Sequence, residues 1–130
     1  MANPNIVAVT TITGNTTYLT PSVTTALVLL PNAASSNKVF KINQIVVANS
    51  TGSAANATVN IYTNGAVAQG SAPSGGTAFP IASAISVPAN ASLIAVDKTT
   101  AIYLQEGTSI TITSGTASAL TFSVSYEDIS

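Results

Sequence analysis

Ser109-Ile110-Thr111-Ile112-Thr113-Ser114-Gly115-Thr116-Ala117-Ser118-Ala119-Leu120-Thr121-Phe122-Ser123-Val124-Ser125-Tyr126-Glu127 is the stretch on which the fold turns. Leu120, Phe122, Val124 and Tyr126 alternate with Thr121, Ser123, Ser125 and Glu127, so an extended chain places every apolar residue on one face and every polar residue on the other. Ile110 and Ile112 alternate in the same way with Ser109, Thr111 and Thr113. Ser114-Gly115-Thr116 supplies turn chemistry between the two runs, and together they predict a carboxy-terminal β-hairpin.

The same period of two extends upstream. Residues 39–48 are rich in β-branched side chains, and Ile45-Val46-Val47 is apolar on both faces, which predicts a central strand covered on two sides. Residues 58–63 form another strand, with Val59 and Ile61 on one face and Tyr62 on the other, after the turn Asn49-Ser50-Thr51-Gly52-Ser53. Shorter apolar runs follow at 26–30, 81–87, 93–96 and 102–104, separated by Pro31-Asn32, Pro88-Ala89-Asn90 and Glu106-Gly107. Helix is disfavoured because Thr and Val lose side-chain freedom in it while Asn and Ser compete for the backbone. Only residues 32–37 suggest a helical turn. The expected fold is an all-β, single-domain antiparallel β-sandwich of eight to ten short strands, with a jelly roll as the leading variant; periodicity leaves the strand order open.

Two segments depart from this rhythm. Residues 65–77, centred on Gly70-Ser71-Ala72-Pro73-Ser74-Gly75-Gly76-Thr77, carry little apolar content and are expected to form a mobile surface loop. Residues 1–14 are expected to be an amino-terminal arm or edge strand, with residues 15–130 forming the sandwich. Ile6, Val7, Val9 and Ile12 make that segment too apolar for a free tail, and they are the expected subunit-interface residues, because an edge strand without blocking charges invites a neighbouring chain.

Composition narrows the function. Of the 130 residues only 5% are charged, against roughly 25% in ordinary soluble domains, and His, Cys, Trp and Arg are absent. Without His, and with only Lys38, Lys41 and Lys98 as bases, no hydroxyl has an evident partner to activate it, and an enzyme is not expected. No cofactor is expected either. The glycine-rich loop lacks the Gly-Lys-Ser/Thr ending that grips phosphate. Adjacent Glu127 and Asp128 point to opposite faces of a strand. Asp97 with Glu106 falls short of the six to eight oxygens a calcium ion prefers, so no metal site is expected.

A net charge of −1 offers nucleic acid no basic stripe. No run approaches the roughly 20 apolar residues that span a bilayer, and the first residues have neither the basic nor the apolar region of a secretory signal. Four Asn-x-Ser/Thr triplets, at Asn15, Asn49, Asn56 and Asn90, follow from the abundance of those residues. Tyr18, Tyr62, Tyr103 and Tyr126, spaced singly on strands, read as core edges with hydroxyls reaching water. Near-zero net charge leaves little repulsion between copies.

The order of Lys38-Val39-Phe40-Lys41-Ile42-Asn43, Asn49-Ser50-Thr51-Gly52, Ala57-Thr58-Val59, Ile85-Ser86-Val87-Pro88-Ala89, Ile102-Tyr103-Leu104-Gln105-Glu106-Gly107 and Val124-Ser125-Tyr126-Glu127-Asp128-Ile129-Ser130 resembles small virion structural proteins of tailed bacteriophages, particularly those of marine cyanobacteria. The resemblance covers nearly the whole chain and is a rhythm of strands and turns without a catalytic signature. It implies a β-sandwich or jelly roll on the outside of a particle, made in the host cytoplasm, a homo-oligomer and often a trimer, bound to the major capsid protein as a decoration or cement protein. Some relatives serve instead in tails or fibres, which makes a polymerising tail, fibre or filament subunit the first alternative. A receptor- or glycan-binding module using the 65–77 loop and nearby tyrosines is the second. No functional residue transfers from the resemblance.

Overall fold

The computed structural model describes residues 9–130. Its strands are β1 (Ile12–Leu19), β2 (Leu27–Asn32), β3 (Val39–Asn49), β4 (Ala55–Tyr62), β5 (Ala78–Val87), β6 (Ser92–Val96), β7 (Ile102–Leu104), β8 (Thr108–Ser114) and β9 (Leu120–Ile129). Two antiparallel sheets pack face to face. The first runs β1-β9-β3-β6, with β7 also paired to β3, and the second runs β2-β8-β4-β5. Because β6 and β7 both lie along β3, against its residues 45–48 and 40–42 respectively, they act as one interrupted strand. Counted so, the order is that of a jelly roll, in which the chain passes repeatedly from one sheet to the other.

The core lies where the inner faces meet. Phe122, Leu120, Val124, Ile42, Ile45 and Val47 from the first sheet face Leu29, Val59, Ile110 and Ile112 from the second, all fully buried. On β3 the pairing with β9 shifts between Ile42 and Gln44. The extra residue at this bulge changes the phase of the strand. Phe40 and Ile42 therefore point inward below it and Ile45 and Val47 above it. Val46, opposite Ser123, turns outward and is only half-buried, so β3 is covered on one face and not on two as its apolar run suggested.

The expected carboxy-terminal hairpin does not form. β8 pairs with β2 and β4, whereas β9 pairs with β1 and β3 in the opposite sheet. Residues 115–119 bridge the two layers, which lie roughly 10 Å apart in such sandwiches, a span that a tight hairpin turn cannot cover.

The helical turn expected at residues 32–37 does not form: Asn32 ends β2, and residues 33–36 make a turn closed by the Ser36 amide donating to the Ala33 carbonyl at 3.3 Å, while a 3-10 turn that was not expected lies at Lys98–Thr100. That single 3-10 turn is capped by Asp97, whose Oδ1 accepts from the amides of Thr99 at 2.9 Å and Thr100 at 3.2 Å.

The loop of residues 63–77 is pinned down, contrary to the expectation of mobility. It leaves β4, crosses the outside of β8 and runs along the edge of β2. The Val28 amide donates to the Ser71 carbonyl at 2.9 Å and the Gly70 amide to the Val28 carbonyl at 2.8 Å. Ser109, fully buried beneath the loop, donates to the Asn64 carbonyl at 2.9 Å. Gly65 is the point of closest approach. A Cβ there would collide with the Asn32 carbonyl oxygen and lie 2.6 Å from that of Thr108. The small polar residues that predicted mobility are what let this segment lie flat on the sheet.

Candidate interaction surfaces

Among the described residues no pocket opens and no three carboxylates converge on a metal-sized space. No helix there is long and apolar enough to cross a membrane. What the fold displays is surface, and the topology sorts it by charge.

At one end of the sandwich lie four inter-sheet corners, residues 20–26, 50–54, 88–91 and 115–119, none containing a charged residue. The lysines and carboxylates lie toward the other end or along the β6–β7 edge. Lys38 Nζ is 3.0 Å from Asp128 and Lys41 Nζ 3.9 Å from Glu127, both where β3 begins and β9 ends. Glu106 sits in the β7–β8 corner beside them, and Asp97 and Lys98 form the 3-10 turn between β6 and β7.

Each end is closed by a buried asparagine at the last position of a strand. Asn49 donates to the carbonyls of Ser53 at 2.8 Å and Val87 at 3.1 Å, while its Oδ1 accepts from the Thr51 amide at 2.9 Å and hydroxyl at 2.7 Å. It thereby binds the β3–β4 corner to the β5–β6 corner. Asn32 does the same at the charged end, donating to the carbonyls of Lys38 at 3.0 Å and Leu104 at 2.9 Å and accepting from Ser36 at 2.6 Å. The remaining corners of the uncharged end are joined by the Ser118 amide donating to the Pro21 carbonyl and the Gly115 amide to the Asn56 carbonyl, both at 2.8 Å. Its exposed hydroxyls, amides and the side chain of Val23 therefore stand on a fixed frame.

A second surface is the outer face of the first sheet. Tyr18, Ser123, Val46 and Ile94 form one row across β1, β9, β3 and β6, with Tyr18 70% and Ile94 57% exposed. Hydroxyls flank the row. Thr16 and Ser125 share a hydrogen bond at 3.0 Å, and Thr20 and Thr121 another at 2.8 Å.

Of the residues expected at a subunit interface, Ile6 and Val7 lie outside the described residues. Val9 is half-buried ahead of β1, and Ile12, the first residue of β1, is 55% exposed opposite Ile129. β1 runs without a break from Ile12 through Leu19, across the 14/15 boundary drawn from the sequence. Tyr62 is buried under the long loop, where its hydroxyl accepts from the Gly76 amide at 3.0 Å, while Tyr18 and Tyr103 are exposed. Asn49 is also buried, with its amide protons engaged, so its triplet has no accessible acceptor nitrogen. The convergence of the four corners was missed in the sequence, although the lack of any charge between Lys41 and Asp97 was a readable signal.

Two ionisable groups depart from their ordinary behaviour. Hydrogen bonds from Thr99, and further ones from Thr100, hold the Asp97 carboxyl below its usual value of 3.8. Burial, with a smaller push from the charge of Asp128, raises the Tyr126 phenol above 10.0. Neither faces a nucleophile or a cavity. Comparison of the chain with known protein families, curated proteins and solved structures yields no match.

Proposed function

We propose that this protein is a non-enzymatic virion structural protein that decorates and cements a bacteriophage capsid, binding the shell through its uncharged surfaces as a homo-oligomer. The observation that carries the reading is the uncharged end, four cross-linked corners of Ser, Thr, Ala, Asn, Pro and Gly. Such side chains lose little rotamer freedom when ordered, and a frame already fixed by hydrogen bonds lowers the entropic cost of docking. Repetition over a lattice multiplies a modest contact into a strong one. The jelly-roll architecture and the resemblance noted in the sequence agree with this role.

Against the polymerising tail or fibre subunit stands the β5 edge, whose bulges and Pro80 oppose strand addition from a following copy. Against the glycan-binding module stands the burial of Tyr62 beneath the loop that was to carry it.

The test is to count copies of this chain in purified particles and to compare shell survival on heating with and without it. Hundreds of copies and a shell that fails earlier in its absence are the expected result. Absence from particles would refute the reading. Thr24→Lys together with Thr116→Glu, at exposed corner positions whose side chains stand outside the hydrogen-bonded frame, is expected to abolish shell binding while leaving the fold within about 0.5 kcal/mol of wild type.

A further inference from the structure

The sheets have four open sides, and three are blunted in the ways that edges usually are. β2 is covered by Gly70 and Ser71. β5 carries Pro80, two register shifts and a left-handed Ala84 at φ 49°. The β6–β7 side is interrupted by the 3-10 turn and shifted in register at Ile45/Val46. Among the described residues β1 has none of these devices. It pairs with β9 in unbroken register from Ile12 to Leu19, contains no proline and no charge, and is exposed on both faces from Ile12 to Thr16.

The direction of its free backbone groups follows from the pairing. Thr11 and Ser130 exchange both of their hydrogen bonds, so the odd-numbered residues of β1 point their amides and carbonyls at β9 and the even-numbered ones point them away. Gln69 Nε2 donates to the Tyr18 carbonyl at 3.3 Å and to Thr17 Oγ1 at 2.9 Å, which closes the upper part of the edge. Among the described residues nothing pairs with the outward amides and carbonyls of Ile12, Gly14 and Thr16. At their centre is a glycine that the single chain does not require, since a Cβ on Gly14 would meet nothing within 4 Å and its φ is not left-handed. A glycine here leaves no pair of like side chains facing each other across a two-fold axis through this residue.

We infer that β1 is the site at which a second copy of this chain adds, antiparallel and about a two-fold axis through Gly14, so that the first sheets of two copies join into one. Gly14 then lies opposite the partner's Gly14, and Ile12 opposite the partner's Thr16. The strand is self-complementary in this register because it carries no charge to repel its own image. The inference deepens the reading of the protein as one that works by association. It specifies a two-fold contact where the resemblance implies a trimer.

The full chain is examined by sedimentation and by amide hydrogen exchange across a dilution series. The expected result is a mass twice the 12.9 kDa of the chain, with protection of the Gly14 and Thr16 amides that disappears on dilution. Thr16→Pro removes an outward amide without touching the β9 ladder, and Gly14→Lys sets like charges face to face; both variants are expected to remain folded and sediment as monomers. A wild-type monomer at every concentration, a trimer, an oligomer in which the Gly14 amide exchanges freely, or unchanged assembly of both folded variants would each overturn the inference. Shell-bound copies with β1 unpaired would overturn it while leaving the functional reading standing, and a β1-paired dimer absent from particles would do the reverse.

Discussion

The two ends of the sandwich use the same device, a strand-terminal asparagine buried among carbonyls, yet one is ringed by lysines and carboxylates and the other carries none. At the charged end Asn32 is accompanied by the Lys38–Asp128 pair and by the Asn43 amide donating to Glu127 at 3.1 Å. At the uncharged end Asn49, the hydroxyls of Thr51 and Ser114 and a few backbone hydrogen bonds hold the corners without any charge. Charge is therefore not what orders corners in this fold. It is confined to the end and edge where solvation matters, leaving the opposite surface free to meet another uncharged one.

The most severe way to break this comparison is Asn49→Leu. The Val87 carbonyl loses a donor in a buried site, at about 1–3 kcal/mol, the Thr51 amide and hydroxyl lose their acceptor, and melting is expected to reveal a total loss of about 2–4 kcal/mol. Asn32→Leu should cost a similar amount, although its corner has an ion pair nearby. A much smaller effect of Asn32→Leu would mean that the charged end holds itself together by electrostatics.

Gly65→Ala tests the loop that starts at the charged end and seals the β2 edge. Its new methyl group has to displace backbone, with an expected cost of about 1–3 kcal/mol and faster hydrogen exchange at the Gly70 and Val28 amides. Smaller again is Lys38→Met. The pair is exposed on its lysine side and partly buried at Asp128, and an ion pair still open to solvent contributes about 0–1 kcal/mol, so denaturant titration should register a loss no larger than that and stability should vary only weakly with salt.

Acid and base sharpen the comparison most finely, because the uncharged end has no side chain to titrate. The Asp97 value is lowered on folding, so its stabilising contribution is present above pH 3.8 and is lost as pH falls through the folded value. Chemical shifts of the Thr99 and Thr100 amides should move in that acid range, and Asp97→Asn should abolish the movement. Tyr126 is raised on folding, so stability falls as pH climbs past 10.0, and phenolate absorbance of wild type against Tyr126→Phe should place its ionisation above that point. The amides of residues 50–54 and 115–119 should be unmoved in both ranges.

Much of the secondary structure was legible because alternation of Ile, Val, Leu and Phe with Ser and Thr states directly which residues share a face. Edges were harder. β5 begins at Ala78, ahead of the apolar run at Ile81, since an edge strand need not be apolar where it covers no core. The interface residues show the same limit, for Ile12 could be recognised as an unblocked edge, while the outward direction of the Gly14 and Thr16 backbone depends on the register with β9.

From its residues alone the chain specified an all-β sandwich whose inner faces contain Phe122, Val124, Ile110 and Ile112 and whose surface is almost free of charge, because local alternation and composition carry that information. The tertiary structure decided which strands became neighbours. It separated β8 from β9 into opposite sheets, laid residues 63–77 across the second sheet and gathered four distant corners at one end. Those outcomes depend on long-range packing of faces that look alike in sequence, and a period of two records which way a side chain points without recording what it points at.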